Sequence, residues 1–373
     1  RLSEQEEIIM VSRMKKLGVF LLFGFFCLSV FPGTTTAGPK LDVLTQLEAP
    51  MGHGSLMAFT ILGNFVAKAD QWGFILRPQE TPGFLYNIRE MGQNKARWKN
   101  TVFGTEETII TLAYVAGGTP ELKEFLPVKI PIAWKMLWSE GIASQGMWYI
   151  TFDPELKTIA DLKGKKLGLG LRTQSDWGMD ATLFLNVAYG IDSKNSKLFY
   201  LGPAKMTDTL LDGKVDAICM GMAAGNAPGA KKWLPSSVYL KLKASGRKLY
   251  YIPIDPWAIE KINQKYGTTY QVEKVPAGTL KDQQGELIVG ADRVFIACHP
   301  TLPEDLAYRY VMAVAKTVPL IREYHAIWKY VWNLEGMVSG LTEENTHPGA
   351  IRALKELGVW DKRKDYPPFI MPK

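Results

Sequence analysis

The sequence predicts an α/β protein with parallel sheets and helices on both faces. Two observations carry that expectation. Apolar runs of strand length alternate with stretches whose apolar residues recur at helical spacing. Glycine-rich turns also sit at the strand-to-helix joints. The clearest is Asp161-Leu162-Lys163-Gly164-Lys165-Lys166-Leu167-Gly168, where polar residues lead into an apolar run and glycines then free the backbone. Leu169-Gly170-Leu171-Arg172-Thr173-Gln174-Ser175-Asp176-Trp177-Gly178 follows and enters a helix expected over Met179 to Val187. Backbone N–H groups at such a helix start favour anions.

The elements follow in order. Leu41 to Leu47 alternates as a strand does. A Met51-Gly52-His53-Gly54-Ser55 turn leads to Leu56, Phe59, Leu62 and Val66 at helical spacing, with Ser55 placed to cap the helix. Thr101 to Gly104 reads as a short strand, with Thr105-Glu106 opening a helix that runs towards Tyr114. Ile130 to Trp138 and Met147 to Phe152 read as strands. Asp208 to Asp212 closes a helix at Gly213, and Val215 to Met220 is a buried strand. Gly221-Met222-Ala223-Ala224-Gly225-Asn226 forms a second small-residue loop. Ser237 to Leu242, Leu249 to Ile254 and Glu286 to Ala297 read as further strands, and the rest is largely helical.

The N-terminus reads as a secretory signal. Arg13, Lys15 and Lys16 precede the apolar run Leu17 to Phe31, and Thr35-Thr36-Ala37 supplies small residues for cleavage. That run is shorter than the ~20 residues a spanning helix needs. Phe26 before Cys27 argues against a lipoprotein site. Residues 1 to 12 lie ahead of a natural start at Met14 or Met10, so the given start is expected to be too early; cleavage of the signal over residues 13–37 is expected to leave a mature protein that begins near Gly38 in the periplasm.

The net charge of +7 is modest and compatible with an anionic ligand. No Lys/Arg run or aromatic–basic repeat points to nucleic acid. Thr173 stands where a G-x-G-x-x-G loop needs its third glycine, and Ser144 lies between Ala143 and Gln145 rather than in a G-x-S-x-G elbow. No H-E-x-x-H or paired-cysteine pattern calls for a metal, and no cofactor is expected. His53, His299, His325 and His347 have no ligand spacing. His53, flanked by glycines, is open to either a turn role or a ligand contact. Cys219 and Cys298 both end apolar runs; an oxidising compartment would permit a disulfide between them, but they read rather as two small core residues.

Four segments, in this order, resemble one family. They are the Asp161 to Gly178 stretch; Leu210-Leu211-Asp212-Gly213-Lys214-Val215-Asp216-Ala217; Val275-Pro276-Ala277-Gly278-Thr279-Leu280; and Thr346-His347-Pro348-Gly349-Ala350 with Glu356-Leu357-Gly358. Together they are similar to the TAXI family, the solute-binding subunits of one class of TRAP transporters. His347-Pro348-Gly349-Ala350 reads physically as a helix start. The chain departs from the family at His53-Gly54-Ser55-Leu56-Met57-Ala58-Phe59, which lacks a tyrosine pair. It departs again at Thr173-Gln174-Ser175-Asp176-Trp177-Gly178, in place of a Gly-Ser-Gly-Thr loop, and Thr105-Glu106 stands where the family has Ser-Asp.

The resemblance implies a two-lobed type II periplasmic binding protein with a central ligand cleft. The first lobe would combine residues 38–147 and 253–373, and the second would hold 148–252. The chain would cross near Ala143 to Trp148 and near Ile252 to Pro256. The implied activity is non-enzymatic: a monomeric receptor that closes on a small organic acid and delivers it to integral-membrane TRAP permease subunits. A receptor for an ABC transporter or a sensor kinase is the alternative, ahead of a secreted enzyme. The expected ligand contacts are His53, Gly54, Ser55, Thr105 and Glu106 on one side. Arg172, Thr173, Ser175, Trp177, Gly221, Met222 and Asn226 form the other. Arg172 is either a carboxylate partner or a surface arginine. Trp148 reads as core and Trp177 as a contact.

Overall fold

The computed structural model describes residues 41–50, 54–68, 70–144, 148–225, 232–324 and 326–372. The expected signal segment, His53, Asn226 and His325 lie outside them. The first elements are β1 (Asp42–Leu47), α1 (Gly54–Lys68), β2 (Phe74–Gln79), α2 (Phe84–Gln93), β3 (Thr101–Glu106) and α3 (Glu107–Val115). Strands β1, β2 and β3 are parallel, as short crossover helices require. β4 (Lys135–Ser144) then leads across residues 145–147 to β5 (Trp148–Thr151). β6 (Lys166–Leu169) ends at Gly170. Beyond it lies a π-helical turn, Ser175–Asp180, which passes through α4 (Ala181–Leu183) into a second π-helical turn, Phe184–Ala188. β7 (Lys197–Tyr200), α5 (Pro203–Leu211) and β8 (Ala217–Met220) complete this unit.

The remaining elements are β9 (Met222–Ala224), β10 (Trp233–Pro235), α6 (Ser237–Ala244), β11 (Tyr250–Ile252), α7 (Pro256–Tyr266), β12 (Gln271–Val275) and β13 (Leu287–Cys298). After them come α8 (Glu304–Tyr324), α9 (Ala326–Val331) and α10 (Pro348–Glu356). Two sheets result. One runs β10-β9-β4-β13-β3-β1-β2, with β12 on the outer half of β13; the other runs β11-β5-β8-β6-β7. The α/β class is as expected, but both sheets are mixed. The parallel order holds in β2-β1-β3 and in β7-β6-β8, while β4, β9, β10, β12 and β13 add antiparallel strands to the first sheet. In the second sheet β5 runs antiparallel to both β8 and β11. Strand β3 is buried along its whole length and β13 nearly so, which requires cover on both faces.

Four connections join the sheets: β4 to β5, β8 to β9, β10 to β11 and β11 to β12. The second is abrupt, since only Gly221 separates Met220 from Met222. Strands β9 and β10, though inside residues 148–252, therefore pair into the first sheet.

Some element boundaries differ from expectation. Ser237 to Leu242 is helical, not a strand. The Val238-Leu240-Leu242 alternation imitates a strand, but Leu240 is exposed while Tyr239 and Leu242, three apart, are the buried pair. Thr105 and Glu106 end β3 instead of opening α3, because both still pair with β13. β4 begins only at Lys135; Pro131 has no N–H for a ladder at the expected start. His347 caps α10 as the motif predicts, its Nδ1 accepting from the Gly349 N–H at 3.2 Å, with Pro348 at the first position. Gly349 is obligatory there for another reason: a Cβ would stand 2.1 Å from the Glu304 carbonyl oxygen of α8. Cys219 and Cys298 are buried free thiols, and Trp148 is buried core. Among the described residues no helix is long and apolar enough to cross a membrane.

Candidate functional site

The carboxyl ends of β1 and β3 in the first sheet, and of β6 in the second, meet at one junction. Parallel α/β sheets place ligands beyond such strand ends. On the first side, Glu106 ends β3 and Glu107 starts α3. On the second, the loop after β6 and the π-helical turn bring Ser175, Asp176 and Asp180. Contact is direct. Ser175 hydrogen-bonds the Glu106 carboxyl. The Tyr270 hydroxyl, in the segment before β12, donates to Asp180 at 2.7 Å. The Thr173 hydroxyl donates to the Pro82 carbonyl at 3.0 Å. Gly83 makes that approach possible, because a Cβ there would lie 2.5 Å from the Thr173 carbonyl oxygen.

The junction is acidic. Glu106, Glu107, Asp180 and Asp292 are buried and Asp176 is partly so. Arg293 is the one buried arginine or lysine among the described residues, and Glu107 holds it, at 2.8 Å from Nη2 and 3.1 Å from Nε. Desolvation pushes every one of these carboxyls up. Asp176 is raised to about 7 and Asp180 to about 8, the latter opposed by the Tyr270 hydroxyl. Glu106 is raised well above the carboxylate range by burial and then by Asp176, Asp292 and Asp180. Asp292 is raised by burial and by Glu107, against the Thr108 N–H and hydroxyl that bond it. Glu107 is raised by burial in spite of Arg293, and its Oε1 is buried without a hydrogen-bond partner. Among the described residues no group of three or more His, Cys, Asp and Glu side chains has metal-site geometry.

The structure brings Glu106, Ser175 and Trp177 to this junction. Thr105, adjacent on β3, is buried with its hydroxyl unpartnered. Trp177 is buried, and its carbonyl accepts from the Cys219 thiol at 3.0 Å. Arg172 goes elsewhere. It pairs with Glu124 at 3.0 Å and stacks over Tyr200 at 3.7 Å, half exposed, as a surface arginine does. Gly221 and Met222 form the buried β8–β9 crossover. Gly54 and Ser55 lie in α1, so Ser55 falls inside the helix rather than at its cap.

The expected anion donors are largely used internally. The Leu171 N–H meets the Gln174 side chain at 2.9 Å, the Gln174 N–H meets the Leu171 carbonyl at 2.9 Å, and the Trp177 N–H meets Asp176 at 2.9 Å. Asp176 thus sets a carboxylate of the protein's own in the first helical turn. Asp180, Asp292, Glu107 and Tyr270 went unrecognised in the sequence. They come from segments far apart, and no spacing signals their meeting.

A family model described as NMT1-like matches residues 136–358. Among solved structures, the chain is similar to the periplasmic aliphatic sulphonate binding protein SsuA from Escherichia coli. That match has 13% identity over 87% of this chain and 80% of that one, with a TM-score of 0.37. It is similar to MatC from Rhodopseudomonas palustris with bound malate, at 11% identity, 86% and 98% coverage and a TM-score of 0.45. A TctC solute binding protein from Polaromonas matches at 15% identity, 88% and 99% coverage and a TM-score of 0.44. With more than half of its length matched by that model, the chain belongs to the NMT1-like family.

Proposed function

We propose that this protein is an extracytoplasmic solute receptor, not an enzyme, which takes a small solute between two lobes and hands it to a membrane transporter. The lobes are residues 38–147 with 253–373, and 148–252, less the β9–β10 hairpin that joins the first sheet. Membership of the NMT1-like family supports a receptor, and the resemblance of the four sequence segments to the TAXI family favours TRAP permease subunits as the partner. A signal peptide over residues 13–37 with export to the periplasm fits that role.

The observation that carries the placement of the site is the meeting of the β3 and β6 strand ends through Glu106 and Ser175. The solute is an organic acid that also carries a protonated nitrogen. Glu106, Asp176 and Asp180 suit an ammonium or amidinium group, while Thr173 and Ser175 would give up their contacts with Pro82 and Glu106 to bond the acid group. A simple dicarboxylate is disfavoured, because the arginines nearest the site are already paired, Arg293 with Glu107 and Arg172 with Glu124.

Native mass spectrometry of the protein purified from its own periplasm, followed by thermal-shift assays with amino acids and simple dicarboxylates, tests this. Amino acids or related zwitterions should raise the melting temperature through binding to the native state. Stabilisation by dicarboxylates alone would refute the choice of solute class. Turnover of a bound compound would refute the receptor itself.

A further inference from the structure

Two more buried glutamates, Glu48 and Glu140, flank the end of β3. Glu48 follows β1, one strand away. Its carbonyl accepts from the Asn87 side-chain amide at 2.9 Å, and the same amide donates to the Gly104 carbonyl at 3.0 Å. Glu48 is thereby tied to the residue before Thr105 and Glu106. The Thr81 hydroxyl also donates to the Glu48 carbonyl and accepts from the Gly83 N–H at 3.3 Å, so the same turn reaches Thr173 of the second half. Glu140 lies on β4, beyond β13 on the other side of β3. Phe295 pairs with Thr105 and with Ser139, and Val294 pairs with Glu106 and with Gly141. Glu140 is therefore the extra residue of a β-bulge, level with the end of β3 and about 10 Å away at two strand spacings. Gly141 makes the bend, at φ 143°.

Both carboxyls have an acceptor to spare. Glu48 Oε1 accepts from the Gln46 side-chain amide, whose own oxygen accepts from the Tyr310 hydroxyl at 2.7 Å. That relay fixes the carboxyl and leaves Oε2 buried without a partner. Glu140 Oε1 and the Thr105 hydroxyl are buried and unpartnered in the same way. Buried polar atoms are as a rule hydrogen-bonded, so three such oxygens around one strand end point to a donor-rich ligand. The chain's one buried basic side chain among the described residues, Arg293, is committed to Glu107. Burial, and then the charge of Glu140, raises the Glu48 carboxyl, and a cation between the two would relieve both.

We propose that Glu48 and Glu140 bind a second cationic group of the solute, which makes the solute a basic amino acid. This rests on the zwitterion reading above. Glu106, Asp176 and Asp180 take the α-ammonium, and the side-chain ammonium or guanidinium reaches Glu48 Oε2, Glu140 Oε1 and the Thr105 hydroxyl. A guanidinium, with five N–H donors in one plane, can serve all three oxygens at once. A neutral amino acid leaves them unpaired, which is how a site built for hydrogen bonds rejects a solute that lacks the donors.

The test is titration calorimetry of the mature protein with L-arginine, L-lysine, L-alanine and succinate. Arginine or lysine should bind at least about tenfold tighter than alanine. Glu48→Gln and Glu140→Gln should each weaken the basic amino acid about tenfold to a hundredfold and leave alanine within about twofold. Circular dichroism verifies that each variant folds. Should Glu48→Gln fail to fold, Tyr310→Phe frees Gln46 and so loosens the Glu48 carboxyl, and it should weaken arginine more than alanine. Alanine bound as tightly as arginine and lysine overturns the proposal and leaves the zwitterion receptor standing. Variants that keep the parent's preference, or that weaken alanine and arginine equally, overturn it too. Binding of succinate and of no amino acid overturns both this proposal and the choice of solute class.

Discussion

Replacing Arg293 with methionine should be among the most damaging single changes in the protein. Its guanidinium is 2% exposed and its partner Glu107 is fully buried, with contacts of 2.8 and 3.1 Å. Nη1 also donates to the Pro367 carbonyl, tying the C-terminal segment to β13. Removing one member of a buried pair leaves the other charge without compensation, at a cost of about 3–5 kcal/mol. Here Glu107 would face Asp292 alone, and burial already raises both carboxyls. The loss should shrink as pH falls from 8 to 5, because Glu107 can then take up a proton. Urea unfolding followed by circular dichroism, at both pH values, measures it. In a Glu107→Gln background the same change should cost far less, since no buried charge is stranded. A cost under about 1 kcal/mol at pH 8, or an equal cost in both backgrounds, would show that the pair does not hold this junction.

Other outcomes follow from individual contacts. Burial raises Glu140 to about 8, so the folded protein keeps a proton that the unfolded chain gives up. The stability this confers is complete below the unfolded carboxylate range and is lost as pH climbs through about 8. Glu140→Gln should flatten the urea midpoint across that window, by no more than about 3–5 kcal/mol. Gly349→Ala should destabilise by about 1–3 kcal/mol in the same assay, because its methyl would collide with the Glu304 carbonyl oxygen at 2.1 Å. His347→Ala should cost about 0.5–2 kcal/mol through the lost cap, with solute affinity unchanged in calorimetry. Arg172→Ala should also leave affinity within about twofold, since its exposed pair with Glu124 contributes little.

The fold was legible where local chemistry and tertiary context agree. The Asp212-Gly213 helix end and the cap at His347 stand as read, and the strand expected over Val215 to Met220 is present as Ala217–Met220. Misreadings arose where two periods coincide. Residues 237–242 satisfy both a strand alternation and a helix spacing, and only the burial of Tyr239 and Leu242 decides. The crossover at Gly221 could not be foreseen, because a one-residue change of sheet leaves no trace in hydropathy. Half of the junction was visible: Glu106 follows the strand read over Thr101 to Gly104, and Ser175 lies in the loop that runs from Gly170 to Gly178. Asp180 sits in a helix and Asp292 in a strand, at positions where a lone acid in sequence reads as solvent-facing.

The arrangement of charge decides which part of a solute could go where. Arg172, the one cation of the loop, is drawn out to Glu124 and Tyr200. The N–H groups of Leu171, Gln174 and Trp177 are held by the loop's own acceptors. An acid group entering here meets little net positive charge, and the Thr173 and Ser175 hydroxyls are already engaged by Pro82 and Glu106. Burial raises the carboxyls of Glu106 across the junction and of Asp176 and Asp180 on the turn itself, so each can donate one hydrogen bond while neutral and accept a cation once ionised. A protonated nitrogen placed among Glu106, Asp176 and Asp180 would offset the charge that these carboxyls carry once ionised, where a second acid group would add to it.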